Sequence, residues 1–142
     1  MNICFIVYSK TGHTLSLANK LKDKLDSLEH NTILARLGNS EPDIVKYDGL
    51  VVATPVHGGS PAKAVKDYLE KLPSIEDKKV VCLATSFFPA ALGRNQTLKY
   101  LKEKCEGKGA EVCDVGGISS LSFGKKKKTE ELVERLSKCF ST

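Results

Sequence analysis

Five short apolar or alternating runs, separated by turn chemistry and helical stripes, restrict what this chain can fold into. Asn2–Tyr8 (NICFIVY), Asp48–Ala53 (DGLVVA) and Lys79–Ala84 (KVVCLA) are apolar at consecutive positions, as in strands buried on both faces. Asn31–Leu37 alternates more weakly, as in a strand with one exposed face, and Ala110–Val115 completes the set. The first stripe, over Thr14–Leu28, aligns Leu17, Ala18, Leu21, Leu25 and Leu28. A second runs from near Pro61, a residue suited to a first helical turn, to Leu72, where Pro73 stops it. Arg94–Cys105 and Thr129–Phe140 supply two more, the former ended by Gly107 and Gly109.

A strand–helix alternation repeated about five times predicts an α/β fold: an open, doubly wound sheet with helices on both faces and right-handed crossovers. With 142 residues and no linker, repeat or low-complexity segment, residues 1–142 form a single domain. Such sheets bind ligands outside the carboxyl ends of their strands. The loops to interrogate are therefore Tyr8–Thr14, Thr54–Ser60 and Thr85–Gly93.

Composition removes several classes of function. No apolar run approaches the ~20 residues of a membrane span, so no membrane insertion is expected. The N-terminus has no basic stretch ahead of its apolar residues, which argues against a signal peptide and for a cytoplasmic protein. Cys4, Cys82, Cys105, Cys113 and Cys139 form no C-x-x-C pair and are odd in number, so five reduced thiols and no metal site are expected. The net charge of +5 permits an acidic partner, but no recognition helix or basic–aromatic segment points to nucleic acid. Lys125–Lys128 reads as a solvated loop ahead of the last helix.

The first loop, Ser9-Lys10-Thr11-Gly12-His13-Thr14, lies between a strand and a helix, as an anion site requires. Its backbone N–H groups can converge on an anion at the positive end of the helix dipole, and Gly12 lets the backbone turn close to it. Neither G-x-x-x-x-G-K-[ST] nor G-x-G-x-x-G occurs there. A helix cap by Thr14 would account for one residue, and the density of donors before it favours an anion site.

YSKTGHT resembles the phosphate loop of the flavodoxin-like flavoproteins, which binds the FMN phosphate through hydroxyls and backbone without a compensating Lys or Arg. TPVHGGSPAKAVKDYL resembles the family's loop along the flavin ring, and TSFFPAALGRNQTLKYLKEKCEGKGAEV resembles the segment closing the ring's other side. The likeness runs from Asn2 to Gly116 with the three loops in order. It implies a flavodoxin-like sheet of five parallel strands in the order 2-1-3-4-5, with FMN as cofactor. It also implies a site built from Ser9, Lys10, Thr11, Gly12, His13 and Thr14, then Thr54, Pro55, Val56, His57, Gly58 and Gly59, then Thr85, Ser86, Phe87 and Phe88. The sequence departs from the family's pattern where Trp and Tyr often sandwich the flavin. Here Phe87 and Phe88 either stack on the ring or cap the core, and His57 either lies beside the ring or in solvent. Gly58-Gly59 is either a backbone segment close to the flavin N5 or simply a turn.

None of the 17 acidic residues falls in Met1–Lys22, Gly49–Lys66 or Val80–Lys102, the windows holding these loops, whereas Lys10, His13, His57, Lys63 and Arg94 do. The resemblance implies acids around the flavin, as in electron-carrying relatives; here the rim is reversed, and a less negative second reduction potential and an acidic partner or anionic substrate are expected. Three functions follow from the resemblance. The first is a monomeric electron carrier between redox partner proteins, the second an FMN-dependent NAD(P)H:quinone-type reductase, and the third a flavin-free binding module. The absence of a second domain or long insertions ranks the carrier first. A phosphorylation receiver is set aside because Ser9 and Thr54 stand where it needs acids. Nucleophilic hydrolysis is set aside because Cys4 lies inside a strand and Ser9 has no evident base beyond His13.

Overall fold

A computed structural model describes residues 1–39, 41–88, 91–121 and 124–141. Pro89 and Ala90 of the third loop lie outside the described residues. The chain runs β1 (Asn2–Val7), α1 (His13–Ser27), β2 (Asn31–Arg36), β3 (Gly49–His57), β4 (Ser60–Pro61) and α2 (Lys63–Lys71). It continues through β5 (Lys79–Ser86), α3 (Ala91–Gly107), β6 (Glu111–Ser119), α4 (Lys125–Ser137) and a 3₁₀ turn at Lys138–Phe140.

The parallel strands lie in the order β2-β1-β3-β5-β6, with short β4 antiparallel to β3. Numbered without β4, this is the 2-1-3-4-5 order expected. Alternation along β1 divides the core. Ile3, Phe5 and Val7 pack with Leu17, Leu21 and Leu25 of α1 and Leu132 and Leu136 of α4. Cys4 and Ile6 pack with Val65 and Leu69 of α2 and Leu98 and Leu101 of α3. The central strands are buried on both faces, which is why their sequences read as continuous apolar runs.

Several expectations are corrected. The crossover from β2 to β3 holds no helix among its described residues; Ile44 and Tyr47 are buried within it and cover part of the sheet instead. The second helix starts near Pro61 as expected, at Lys63 with Ala62 at its N-cap, because Pro61 itself pairs with Val56 in a hairpin. β3, β5 and β6 extend beyond their apolar runs, to His57, Ser86 and Ser119, because ladder pairing continues where hydrophobicity stops. Lys125–Lys128 opens α4 rather than forming a loop: Gly124, at φ 69°, turns the chain, and lysine is a good helix former. Three thiols are free, not five. Cys113 of β6 and Cys139 of the 3₁₀ turn are disulfide-bonded at a Cα–Cα distance of 5.8 Å, a proximity created by folding that their 26-residue separation does not disclose. Among the described residues no helix is long and apolar enough to cross a membrane.

Candidate cofactor site at the carboxyl ends of the strands

The loop after β1 is held from inside by Ser9. Its buried hydroxyl accepts the N–H groups of Gly12 (3.1 Å) and Leu15 (3.3 Å), so it braces the start of α1. Thr14 does not cap the helix. Gly12 occupies the N-cap position at φ 95°, a left-handed conformation that other residues adopt at a cost. Ser9 and Gly12 together leave the loop's remaining donors outward. Among the described residues no hydrogen bond takes up the N–H of Lys10, Thr11, His13 or Thr14. The side chains of Lys10, Thr11 and His13 are exposed.

Thr14 points inward, 2% exposed, and its Oγ1 lies 2.7 Å from Thr85 Oγ1 at the end of β5. That contact fastens the first loop to the third. Arg36, the last residue of β2, pairs in register with Val7 and donates from Nη2 to the Ser9 carbonyl at 2.7 Å. Arg36 was not among the residues expected at this site. The signal was present, since a residue ending the strand beside β1 must stand next to the loop that follows β1.

The second loop is a hairpin. Val56 pairs with Pro61 and His57 with Ser60, leaving Gly58 (φ 58°) and Gly59 (φ 78°) as the two turn residues. Positive φ at both central positions is the type I′ pattern that matches strand twist. A Cβ at Gly59 would sit 2.5 Å from Gln96 Oε1, so the hairpin rests directly on α3. Thr54 is fully buried; its hydroxyl donates to Pro55 O and accepts from Ala62 N, both at 2.9 Å, which sets the hairpin's base. Pro55 and Val56 are half-buried, and exposed His57 meets Tyr8 edge-on at 6.5 Å between ring centroids.

The third loop presents aromatic surface. Phe87 and Phe88 are 59% and 66% exposed and touch each other edge-to-face at 5.1 Å, so neither caps the core. Leu121 N donates to Phe87 O at 3.2 Å, and Ser86 Oγ donates to Phe88 O at 3.0 Å. Arg94 of α3 donates to Ser86 Oγ at 3.4 Å.

The structure thus brings the three loops to one end of the sheet. Of the residues expected there, Ser9, Thr14, Thr54 and Thr85 are buried braces, while Lys10, Thr11, His13, His57, Gly58, Phe87 and Phe88 face outward. The fourth carboxyl-end connection, from β6 to α4, also carries no acid from Val115 to Thr129 and adds Lys125–Lys128 at the positive end of α4. Glu41, the first acid after β2, is drawn away to Lys71 at the far end of α2. This donor set fits the phosphate of FMN: unclaimed backbone N–H groups, an open Gly12 and no carboxylate in the loop to repel a dianion.

A family model described as flavodoxin domain matches residues 4–133. No curated protein matches the chain in sequence. Among solved structures, oxidised Flavodoxin 2 from Bacillus cereus aligns with a TM-score of 0.81 at 19% identity, covering 99% of this chain and 100% of that one. A flavodoxin from Streptococcus pneumoniae TIGR4 gives 0.79 at 20% identity, over 96% of this chain and 98% of that one. A Fusobacterium nucleatum flavodoxin solved with flavin mononucleotide gives 0.77 at 15% identity, over 96% and 97%. The structural likenesses establish the fold. Because the family model spans nearly the whole chain, loops included, the chain belongs to the flavodoxin family of FMN-binding electron-transfer proteins.

Proposed function

We propose that the chain carries electrons between redox proteins using FMN held by the loops after β1, β3 and β5. The observation that carries this reading is the first loop, with its unclaimed N–H groups at Lys10, Thr11, His13 and Thr14 braced from behind by Ser9. Those groups would hold the phosphate, with Lys10 adding positive charge at the rim. The β3–β4 hairpin and the Phe87–Phe88 pair would flank the ring, Phe87 and Phe88 offering aromatic faces that folding leaves uncovered. FMN supplies the redox chemistry when bound, and the protein contributes binding, orientation and electrostatics.

The chain's own charges favour an acidic partner. Cations at Lys10, Arg36, Arg94 and Lys125–Lys128 surround a carboxyl-end surface whose three loop windows hold no acid. An acidic docking face would be steered onto it, and salt would slow association. The same charges would favour electron-rich flavin and raise its second reduction potential. We place the chain as a monomer in this role.

Titration of the flavin-stripped protein with FMN and with riboflavin tests the site. Much tighter binding of FMN than of riboflavin supports the phosphate assignment. Failure to bind either would overturn the reading. Association with an acidic electron carrier that is indifferent to ionic strength would remove the docking proposal alone.

A further inference from the structure

The Cys113–Cys139 bond joins an exposed residue to a buried one. Cys113 sits on β6, an outer strand of the sheet, and is exposed. Cys139 is 8% exposed, in the 3₁₀ turn that ends the fold. β6 carries an irregularity at this point: Val112 pairs with Val80 and Asp114 with Val81, so Cys113 has no partner in the ladder. Such a bulge turns two successive residues to one face. Val112 and Val115 pack on the α2–α3 side, whereas Asp114 meets Arg135 of α4 at 3.3 Å and Cys113 bonds to Cys139 beyond it.

The turn closed by this bond carries a core residue. Phe140, adjacent to Cys139, is fully buried. A Cβ at Gly49 would lie 2.7 Å from its Cε1, so the ring fills space that only a glycine at the start of β3 leaves open. The bond therefore pins the segment that plugs the amino end of the α1–α4 core.

We propose that Cys113–Cys139 is a thiol-exchange site whose co-reactant is a dithiol, and that it reversibly staples the C-terminal turn to the edge strand. The thiolate of the dithiol attacks Sγ of Cys113, the exposed residue of the pair, and forms a mixed disulfide. The Cys113–Cys139 bond breaks with its electron pair leaving on Cys139 Sγ, which takes a proton. The dithiol's second sulfur then displaces Cys113, which is protonated in turn. The dithiol leaves as a cyclic disulfide, and the chain has gained two electrons and two protons. Burial keeps Cys139 beside its partner for reclosure. Cys4, Cys82 and Cys105, at 0%, 0% and 1% exposure, are shielded from the same chemistry.

The test is iodoacetamide labelling of the native full chain, read by intact mass before and after dithiothreitol, with a melting curve on each sample. No adduct before reduction and one after it, mapped to Cys113, is the expected result. A fall in melting midpoint on the order of 10 °C should accompany it, from releasing a loop of this length. Labelling of Cys113 without reductant, resistance to dithiothreitol until the protein unfolds, labelling of the buried three at the same time, or an unchanged midpoint would each overturn the proposal. None of these outcomes depends on flavin, so they stand apart from the test of the cofactor site.

Discussion

Thr14 and Thr85 are 71 residues apart in sequence and joined by a buried 2.7 Å hydroxyl–hydroxyl hydrogen bond. One opens the helix behind the phosphate-type loop and the other ends the strand that leads into the aromatic loop. Both residues are buried, Thr14 at 2% and Thr85 at 4% exposure. The contact makes the first and third loops one mechanical unit, so the two ends of a bound flavin would be held by parts that cannot drift independently.

A double-mutant cycle on this pair has a distinctive expected outcome. Thr14→Val or Thr85→Val keeps the side-chain shape but strands a buried hydroxyl, so each single variant should lose about 1–3 kcal/mol in urea denaturation. The double variant strands nothing and should lose clearly less than the sum. Additive losses would show that the hydroxyls act separately.

Much of this architecture is legible in the sequence, and what escapes does so for physical reasons. Central strands such as Leu50–Ala53 and Val80–Ala84 announce themselves because burial on both faces demands apolar residues throughout. Their extensions to His57 and Ser86 are held by backbone pairing, which leaves no mark on side-chain pattern. Gly58-Gly59 signals a turn, but the pairing of Ser60 and Pro61 that makes it a hairpin is fixed by tertiary context. The outward donors of the first loop were visible. That Ser9 and Thr14 serve as internal braces was not, because a hydroxyl's direction depends on the fold around it. The Cys113–Cys139 pairing was hidden for the same reason.

The hairpin turn gives a second prediction. Gly58 sits at φ 58° with nothing within 4 Å of a built Cβ, so conformation rather than space decides what it tolerates. Gly58→Asn places Asn-Gly in a type I′ turn and should leave stability within about 0.5 kcal/mol of the parent. Gly58→Val forces a β-branched residue into the left-handed region and should cost about 1–2 kcal/mol. Chemical denaturation of the two variants decides it; equal effects would mean that the turn is not of this type.

Tyr68 supplies a pH dependence. Burial, and then the nearby Cys4, Glu41 and Asp43, push its phenol up to about 12, and its hydroxyl donates to Pro42 O at 2.9 Å. The folded state thus holds the proton in a range where an unfolded tyrosine, near 10, gives it up. The unfolded chain binds fewer protons there, so this contribution to stability is complete below pH 10 and is lost as pH rises toward 12. Tyr68→Phe should cost about 0.5–1.5 kcal/mol at pH 7, from the lost hydrogen bond. Its deficit relative to the parent should shrink above pH 10. A deficit constant from pH 7 to pH 11 in paired denaturation curves would contradict this.

Arg36 offers the sharpest separation of structural from binding roles. Its guanidinium grips the Ser9 carbonyl from the neighbouring strand, and it brings a positive charge to the loop. Arg36→Gln removes the charge and shortens the reach, whereas Arg36→Lys keeps the charge but loses the planar fork. If the loop holds a phosphate, Arg36→Gln should weaken FMN binding about fivefold, near 1 kcal/mol, and leave riboflavin binding unchanged. Arg36→Lys should fall between Arg36→Gln and the parent, and the salt dependence of FMN binding should be flatter in the Gln variant than in either. Equal weakening of FMN and riboflavin would show instead that Arg36 only shapes the loop. Because Lys10 and His13 already face the same region, no loss at all would mean that the loop's N–H groups and those two side chains suffice.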